Sequence, residues 1–275
     1  MSSRRLGESG LVALVIVAGC GTESAGPPTG WQPLITKDWV LAPGQEKTSD
    51  LQVDNLEQDF IIGGMRPISP PGTHHTLLYR GLQGTNMIYA SGVGTNELVF
   101  PEGVGLKLTT GEILGLQLHI FNTSDAELSG TSGIEVLLVD PSTITDEVDM
   151  FLPGPRDLQI PPNETTTVTG TCTVNAAQNV FALFPHMHQL GTHLKTEVVT
   201  GGTPRVLTDA PYTFEHQEVL RFEPIALAPG DTINTSCTWN NTTSSMVTYG
   251  ESTTTEMCYS IMYRYPRQDS EFCTN

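Results

Sequence analysis

The run Phe184-Pro185-His186-Met187-His188-Gln189-Leu190-Gly191 closes an apolar stretch that begins at Val180. Such a stretch reads as a buried strand, and strand side chains two apart project to one face. His186 and His188 therefore point the same way and can close on a single metal ion, with a third ligand drawn from elsewhere in the chain. Met257, in Thr255-Glu256-Met257-Cys258-Tyr259, is the candidate. A disulfide at the neighbouring Cys258 would fix its backbone. The bland alternative for Met257 is core filling, the usual role of methionine. A single His-x-His is more often a surface or structural pair than a metal site, so the rest of the chain carries weight.

Thr73-His74-His75-Thr76 sets two imidazoles side by side in the first half. Neighbours in a strand face opposite ways, so both reach one metal only at a strand end or a bulge. The Pro70-Pro71-Gly72 turn just before them marks such an end. In Leu116-Gln117-Leu118-His119-Ile120-Phe121, Leu116, Leu118 and Ile120 fill a core and His119 faces outward with Gln117 and Phe121. Taken singly, His119 reads as a satisfied polar group. His193 and His216 read as surface or outer-sphere groups with no assigned role.

Three imidazoles suit zinc, copper or iron, whereas two imidazoles with a thioether favour soft Cu(I). A blue-copper centre is disfavoured because it needs a cysteine thiolate beside its histidines. Zinc hydrolysis would use a carboxylate base beside the metal, and no His-Glu-x-x-His occurs. Neither Gly-x-Ser-x-Gly nor a phosphate-cradling glycine loop is present.

The elements that must position these groups are strands. Gly and Pro are plentiful, at 27 and 19 of 275 residues, and charged residues are sparse, which suits an all-β chain with many turns. Short strands are expected near residues 59–62, 76–79, 97–100, 114–121 and 133–139, then 165–173, 180–184, 193–200, 218–222, 231–239 and 256–265, with no sustained helical period. The length allows two domains, each able to bury its own core. Leu152-Pro153-Gly154-Pro155 and Ile160-Pro161-Pro162-Asn163 read as the connection between them. The expected division is therefore 38–153 and 154–275, following a flexible tether over 20–37. A formal charge of −17 argues against nucleic-acid binding and against electrostatic adhesion to anionic lipid.

Arg4 and Arg5 precede an apolar core, 11–17, too short to span a bilayer but suited to an export signal over residues 1–19. It ends Val17-Ala18-Gly19-Cys20, which resembles the lipobox of bacterial lipoproteins. That resemblance implies a lipidated Cys20 and membrane attachment through lipid only, in the periplasm or at the outer membrane and cell surface. An ordinary core cysteine is the alternative. Cys172, Cys237, Cys258 and Cys273 then remain, an even number with three possible pairings in an exported protein. The first half has to hold together without covalent staples.

Taken together, His74-His75, Leu118-His119, Ser132-Gly133-Ile134, the His186/His188 pair and the second-half run resemble the copper type II, ascorbate-dependent monooxygenases. That run passes through Tyr212-Thr213-Phe214, Glu218-Val219, Pro229-Gly230-Asp231, Thr235-Ser236-Cys237-Thr238 and Glu256-Met257-Cys258 to Tyr265-Pro266, and is similar to the dopamine branch. The resemblance covers nearly the whole mature chain. It implies two tandem β-sandwich, jelly-roll-like domains with one copper each. His74, His75 and His119 would hold the first, and His186, His188 and Met257 the second, catalytic one. It also implies bridges joining Cys172 to Cys273 and Cys237 to Cys258. The sequence departs from the family in two places. The first half lacks the disulfides of the animal enzymes, and Phe184 stands where the peptidylglycine branch carries an arginine for the substrate carboxylate.

The activity so implied is hydroxylation of a C–H bond in a small organic substrate. One atom of O2 enters the bond and the other becomes water, with two outside electrons from a co-substrate such as ascorbate through two copper ions. The competing readings are a copper-binding or carrier lipoprotein that oxygenates nothing, and a structural surface lipoprotein with degenerate sites. The oxygenase needs two incomplete sites facing each other across a solvent gap; the carrier does not.

Overall fold

Residues that alternate apolar and polar along the chain take up strands almost everywhere in the computed structural model, which describes residues 30–82, 86–250, 252, 254–268 and 272–273. The export signal 1–19 and Cys20 lie outside the described residues. The one helical piece among them is a single 3-10 turn, Pro141–Thr143, capped by the Asp140 carboxylate accepting from the Ser142 N–H. No helix among the described residues is long and apolar enough to cross a membrane.

The first half forms two principal sheets. One runs in the order Gly30–Leu41, Leu128–Leu138, Phe60–Ile68, Val104–Leu108, Asp146–Glu147, with Leu98–Val99 also on Phe60–Ile68. The other runs Glu46–Thr48, Ile113–Phe121, Thr73–Arg80, Met87–Ser91, with Gln52–Asn55 also on Ile113–Phe121. The second half has a sheet ordered Leu220–Leu227, Gln178–Met187, Cys258–Tyr265, Asp149–Pro153, Phe272–Cys273. A four-stranded sheet follows, Glu164–Thr173, Thr232–Asn241, Gly191–Thr200, Thr203–Pro211, with a small ribbon of Gln159–Ile160 and Val247–Thr248.

Residues 30–37, expected within a flexible tether over 20–37, are strand instead. From Gly30 the chain is already paired, Gly30 opposite Leu138 and Leu41 opposite Leu128. Ile35, Trp39 and Leu41 turn inward there, and the Trp39 indole N–H donates to Ser132 Oγ at 2.7 Å. Pro33 and Gly30 imitate loop composition, but Pro33 sits beside a bulge, where the ladder tolerates it.

The crossing between halves also lies earlier than the proline-rich passage. Glu147 still pairs with Gly105, whereas Asp149 pairs with Arg264. Residues 149–153 thus lay down the first strand of the second half, fixed by a buried bidentate ion pair: Asp149 accepts from Arg264 Nε and Nη2, both at 2.8 Å. The prolines that follow shape turns inside the second half.

Separate cores are not what forms either. The largest apolar cluster unites both first-half sheets with Leu152, Phe181, Ala182, Phe184, Tyr259 and Ile261 of the second half. The opposite face of the same second-half sheet, through Phe151, Val180, Leu183, Ile225 and Met262, packs on Val198 and Ile233 of the four-stranded sheet. A sheet buried on both faces explains why 180–184 reads as an unbroken apolar run.

Candidate metal centres

Thr73–Arg80 begins with a turn in which the Thr73 N–H donates to Pro70 O at 3.0 Å. Gly72 there has φ +98, and a Cβ on it would come within 2.8 Å of Trp39 and Leu128 side-chain atoms. A register shift between Thr73 and His75 follows at once: Thr73 faces Ile120 and His75 faces His119. His74 is the extra residue of that bulge, which is how two consecutive histidines come to one side. The ring centroids of His74 and His75 lie 4.4 Å apart, those of His74 and His119 5.0 Å, and those of His75 and His119 5.7 Å. One ring nitrogen from each of the three falls within 4.8 Å of the others. Glu46 Oε1 lies 2.6 Å from His119 Nε2 and can only accept, so that ring keeps its lone pair on Nδ1. Phe214 closes the back of the group, 4.5 Å from the His74 ring.

The second pair stands at the end of Gln178–Met187. His186 and His188 rings are 5.3 Å apart, nearly perpendicular, and line one cavity. Gln217 Oε1 lies 3.2 Å from His186 Nδ1, and Thr255 O lies 2.8 Å from His188 Nδ1. Both partners are acceptors, so each ring carries its hydrogen on Nδ1 and presents the Nε2 lone pair. Such fixing of the remote nitrogen is how metal-binding histidines are oriented.

Glu256 locks this turn to the Met257 strand. Fully buried, its carboxylate accepts from the His188 N–H at 2.9 Å, the Leu190 N–H at 2.7 Å and the Trp239 indole N–H at 2.9 Å. The Cys237–Cys258 disulfide lies immediately beyond, and Cys172–Cys273 ties the far end, both pairings as the resemblance implied. Met257, between Glu256 and Cys258, is half-buried and lines the same cavity as His75, His119, His186 and His188. Two imidazole lone pairs and a thioether lining one cavity, with a cluster of three imidazoles adjoining, form a donor set that fits copper.

Burial depresses the basicity of these rings. It pulls His74 down to about 4, aided by the nearby His119, and His186 down to about 3, aided by His188. His75 falls well below its ordinary value through burial first and then through His186, His74, His119 and His188; burial likewise lowers His188. All four are neutral at neutral pH, the form that binds metal.

The cavity has a volume of about 680 Å³. Its apolar wall includes Leu77, Tyr79 and Met87 from the first half and Phe184, Tyr259 and Ile261 from the second. The expected gap between two facing sites is not what forms: His75 and His186 rings approach to 6.0 Å with Gln217 touching both, so the groups adjoin at one edge and the cavity opens alongside. His193 pairs with Asp209 and His216 with Glu218, both at the surface.

Residues 148–275 match the sequence profile of the copper type II ascorbate-dependent monooxygenase C-terminal domain. The second half of the chain is thus similar to the copper type II ascorbate-dependent monooxygenase family. Dopamine beta-hydroxylase of Equus caballus is 28% identical over 207 residues, covering 68% of this chain and 34% of that protein. Tyramine beta-hydroxylase of Caenorhabditis briggsae is 26% identical over 207 residues, covering 69% and 35%. DBH-like monooxygenase protein 1 of Mus musculus reaches 34% identity over 102 residues, 35% of this chain and 16% of that one. This chain thus spans about a third of the length of the first two relatives. Likeness to solved structures is slight: a chain titled "Crystal Structure of the STIV MCP" gives a TM-score of 0.31 at 8% identity over 86% of this chain and 95% of that one.

Sequence reasoning missed three groups that shape the site. Glu256 was read only as part of a motif, and Gln217 and Phe214 not as site residues at all. Each acts on histidines 26 or more positions away in sequence, a relation that no local spacing announces.

Proposed function

We propose that this protein is a copper-dependent monooxygenase that hydroxylates a C–H bond of a small organic substrate with O2 and a one-electron reductant such as ascorbate. The observation that carries the reading is convergence: His75, His119, His186, His188 and Met257 all line one cavity, and His74 stands against His75 at the bulge. His74, His75 and His119 would hold one copper ion, and His186, His188 and Met257 the other, so each chain would take two. When bound, the two ions would store the two electrons that inserting one oxygen atom and reducing the other require.

The rest falls to the chain's own side chains. Gln217 and Thr255 keep the Nε2 atoms of His186 and His188 directed away from their acceptors. Glu256 holds the turn and the Met257 strand together. Phe184, Tyr259 and Ile261 line the same cavity as Met257 and give a substrate an apolar surface. Phe184, with no charge to offer a carboxylate, disfavours peptide amidation. The reading also includes two tandem sandwich domains dividing near residue 148, and export as a lipoprotein anchored through Cys20. The two disulfides suit an oxidising compartment.

The test is to load the protein with copper, supply ascorbate and O2, and screen phenethylamines, acylglycines and small aromatics for hydroxylated product. Met257→Ile nearly conserves volume and should abolish product while leaving the fold. Ascorbate-dependent oxygen uptake still coupled to product in that variant would defeat the assignment.

A further inference from the structure

The loop between Met87–Ser91 and Leu98–Val99 meets residues 217–219 of the second half in a short hydrogen-bonded clasp. The Gln217 N–H donates to Val93 O at 2.9 Å, and Thr95 Oγ1 donates to Gln217 O at 2.7 Å. Asn96 Nδ2 donates to Val219 O at 3.2 Å, and the Val219 N–H donates back to Asn96 Oδ1 at 2.9 Å. Thr95 is itself held by the Gly92 N–H at 2.8 Å. A Cβ at Gly92 would sit 3.0 Å from Gln217 Cδ, so the loop lies directly on this side chain. Gln217, although it belongs to the second half, takes its position from the first.

Its side chain, 2% exposed, enters where the two histidine groups adjoin. Oε1 lies 3.2 Å from His186 Nδ1, and Nε2 lies 3.4 Å from His75 Nε2 while donating to Phe214 O at 2.9 Å. One rigid amide therefore touches a ring of each group and is pinned by a third contact to the backbone. A carboxamide offers an acceptor at one end and two donors at the other, so its orientation fixes which nitrogen of each ring faces it.

We propose that Gln217 is a positioning residue shared by both centres: it orients His186 and His75 together and makes the two histidine groups one coupled unit. The proposal rests on the metal reading above for its binding consequence, but not for its account of the rings. In the metal-free protein, the acceptor at His186 Nδ1 sets that ring's tautomer whether or not copper is its ligand. With metal, losing an acceptor partner of the kind His186 has costs about 10–100-fold in affinity. At His75 the amide is a donor facing Nε2, so it sets that ring's hydrogen on Nδ1, and its loss frees the Nε2 lone pair instead of weakening that site.

The test is Gln217→Leu, which keeps bulk and removes all three amide contacts while leaving the backbone clasp. In the metal-free protein, long-range 15N–1H NMR should show His186 with its hydrogen on Nδ1 in the wild type and a tautomer mixture in the variant. Competition for Cu(I) against bicinchoninate should show the His186 site weakened about tenfold or more and the His75 site not weakened. An unchanged His186 tautomer overturns the proposal, and so does equal weakening of both sites. Wild-type protein that takes up no Cu(I) defeats the metal reading instead, and the tautomer measurement still decides the role of Gln217. Should the leucine variant fail to fold, Thr95→Val frees the Gln217 carbonyl and keeps the amide. It should give the same tautomer change to a smaller degree, and no change alongside lost amide-exchange protection at Gln217 contradicts the proposal.

Discussion

Glu256 shows how much one buried side chain can carry. Replacing it by alanine strands three N–H groups, from His188, Leu190 and Trp239, without an acceptor in the interior. Each such orphan costs about 1–3 kcal/mol, so Glu256→Ala should lose on the order of 3–5 kcal/mol in urea unfolding. Glu256→Gln keeps one oxygen and should lose about half of that. The buried histidines set the pH response of the metal-free protein. His74, His75, His186 and His188 all have folded values below their ordinary one, so in acid the unfolded chain takes up protons that the folded chain refuses. Their contribution is intact above the unfolded value of about 6.5. It drains away as pH falls toward about 4 for His74 and about 3 for His186. Urea midpoints measured across that window should fall steadily, and replacing His186 by a neutral residue should flatten the fall.

Among the elements, the bulge at the start of Thr73–Arg80 is the one the first centre depends on, and it is anchored by Gly72. Gly72→Ala puts a Cβ within 2.8 Å of Trp39 and Leu128 at a φ of +98. It should cost about 2–3 kcal/mol and disturb the spacing of His74 and His75. Removing the Cys237–Cys258 bridge, which closes a loop of sequence separation 21, should cost about 3 kcal/mol. Much of this level was legible in the sequence. Alternation placed Ile113–Phe121 and the outward His119, and the apolar run placed Gln178–Met187. The Pro-Pro-Gly turn correctly signalled a strand start with both histidines on one side. Thr203–Pro211 was not legible, since it is an exposed edge strand whose polar, proline-bearing residues carry no burial pattern. Gly30–Leu41 began earlier than expected because its proline lies at a bulge, where the ladder does not need an N–H.

At the scale of the whole molecule, expectation and structure part over independence. Sequence length suggested two self-contained cores, but Phe181, Phe184, Tyr259 and Ile261 pack into the same cluster as the first-half sheets. Local periodicity says which face of a strand is apolar, not which half of the chain will cover it. The joint packing brings His75 to within 6.0 Å of His186, closer than two separate modules would require. Calorimetry of the metal-free protein should accordingly show one cooperative unfolding transition, and two well-separated transitions would contradict a shared core. The central claim is that five imidazoles and one thioether hold two copper ions against a common cavity. Copper K-edge absorption of the Cu(I)-loaded protein tests it most directly. Two coppers per chain should share one sulfur scatterer, and Met257→Ile should remove that sulfur while leaving the nitrogen shell. A wild-type spectrum without sulfur, or fewer than two ions bound, would contradict the account.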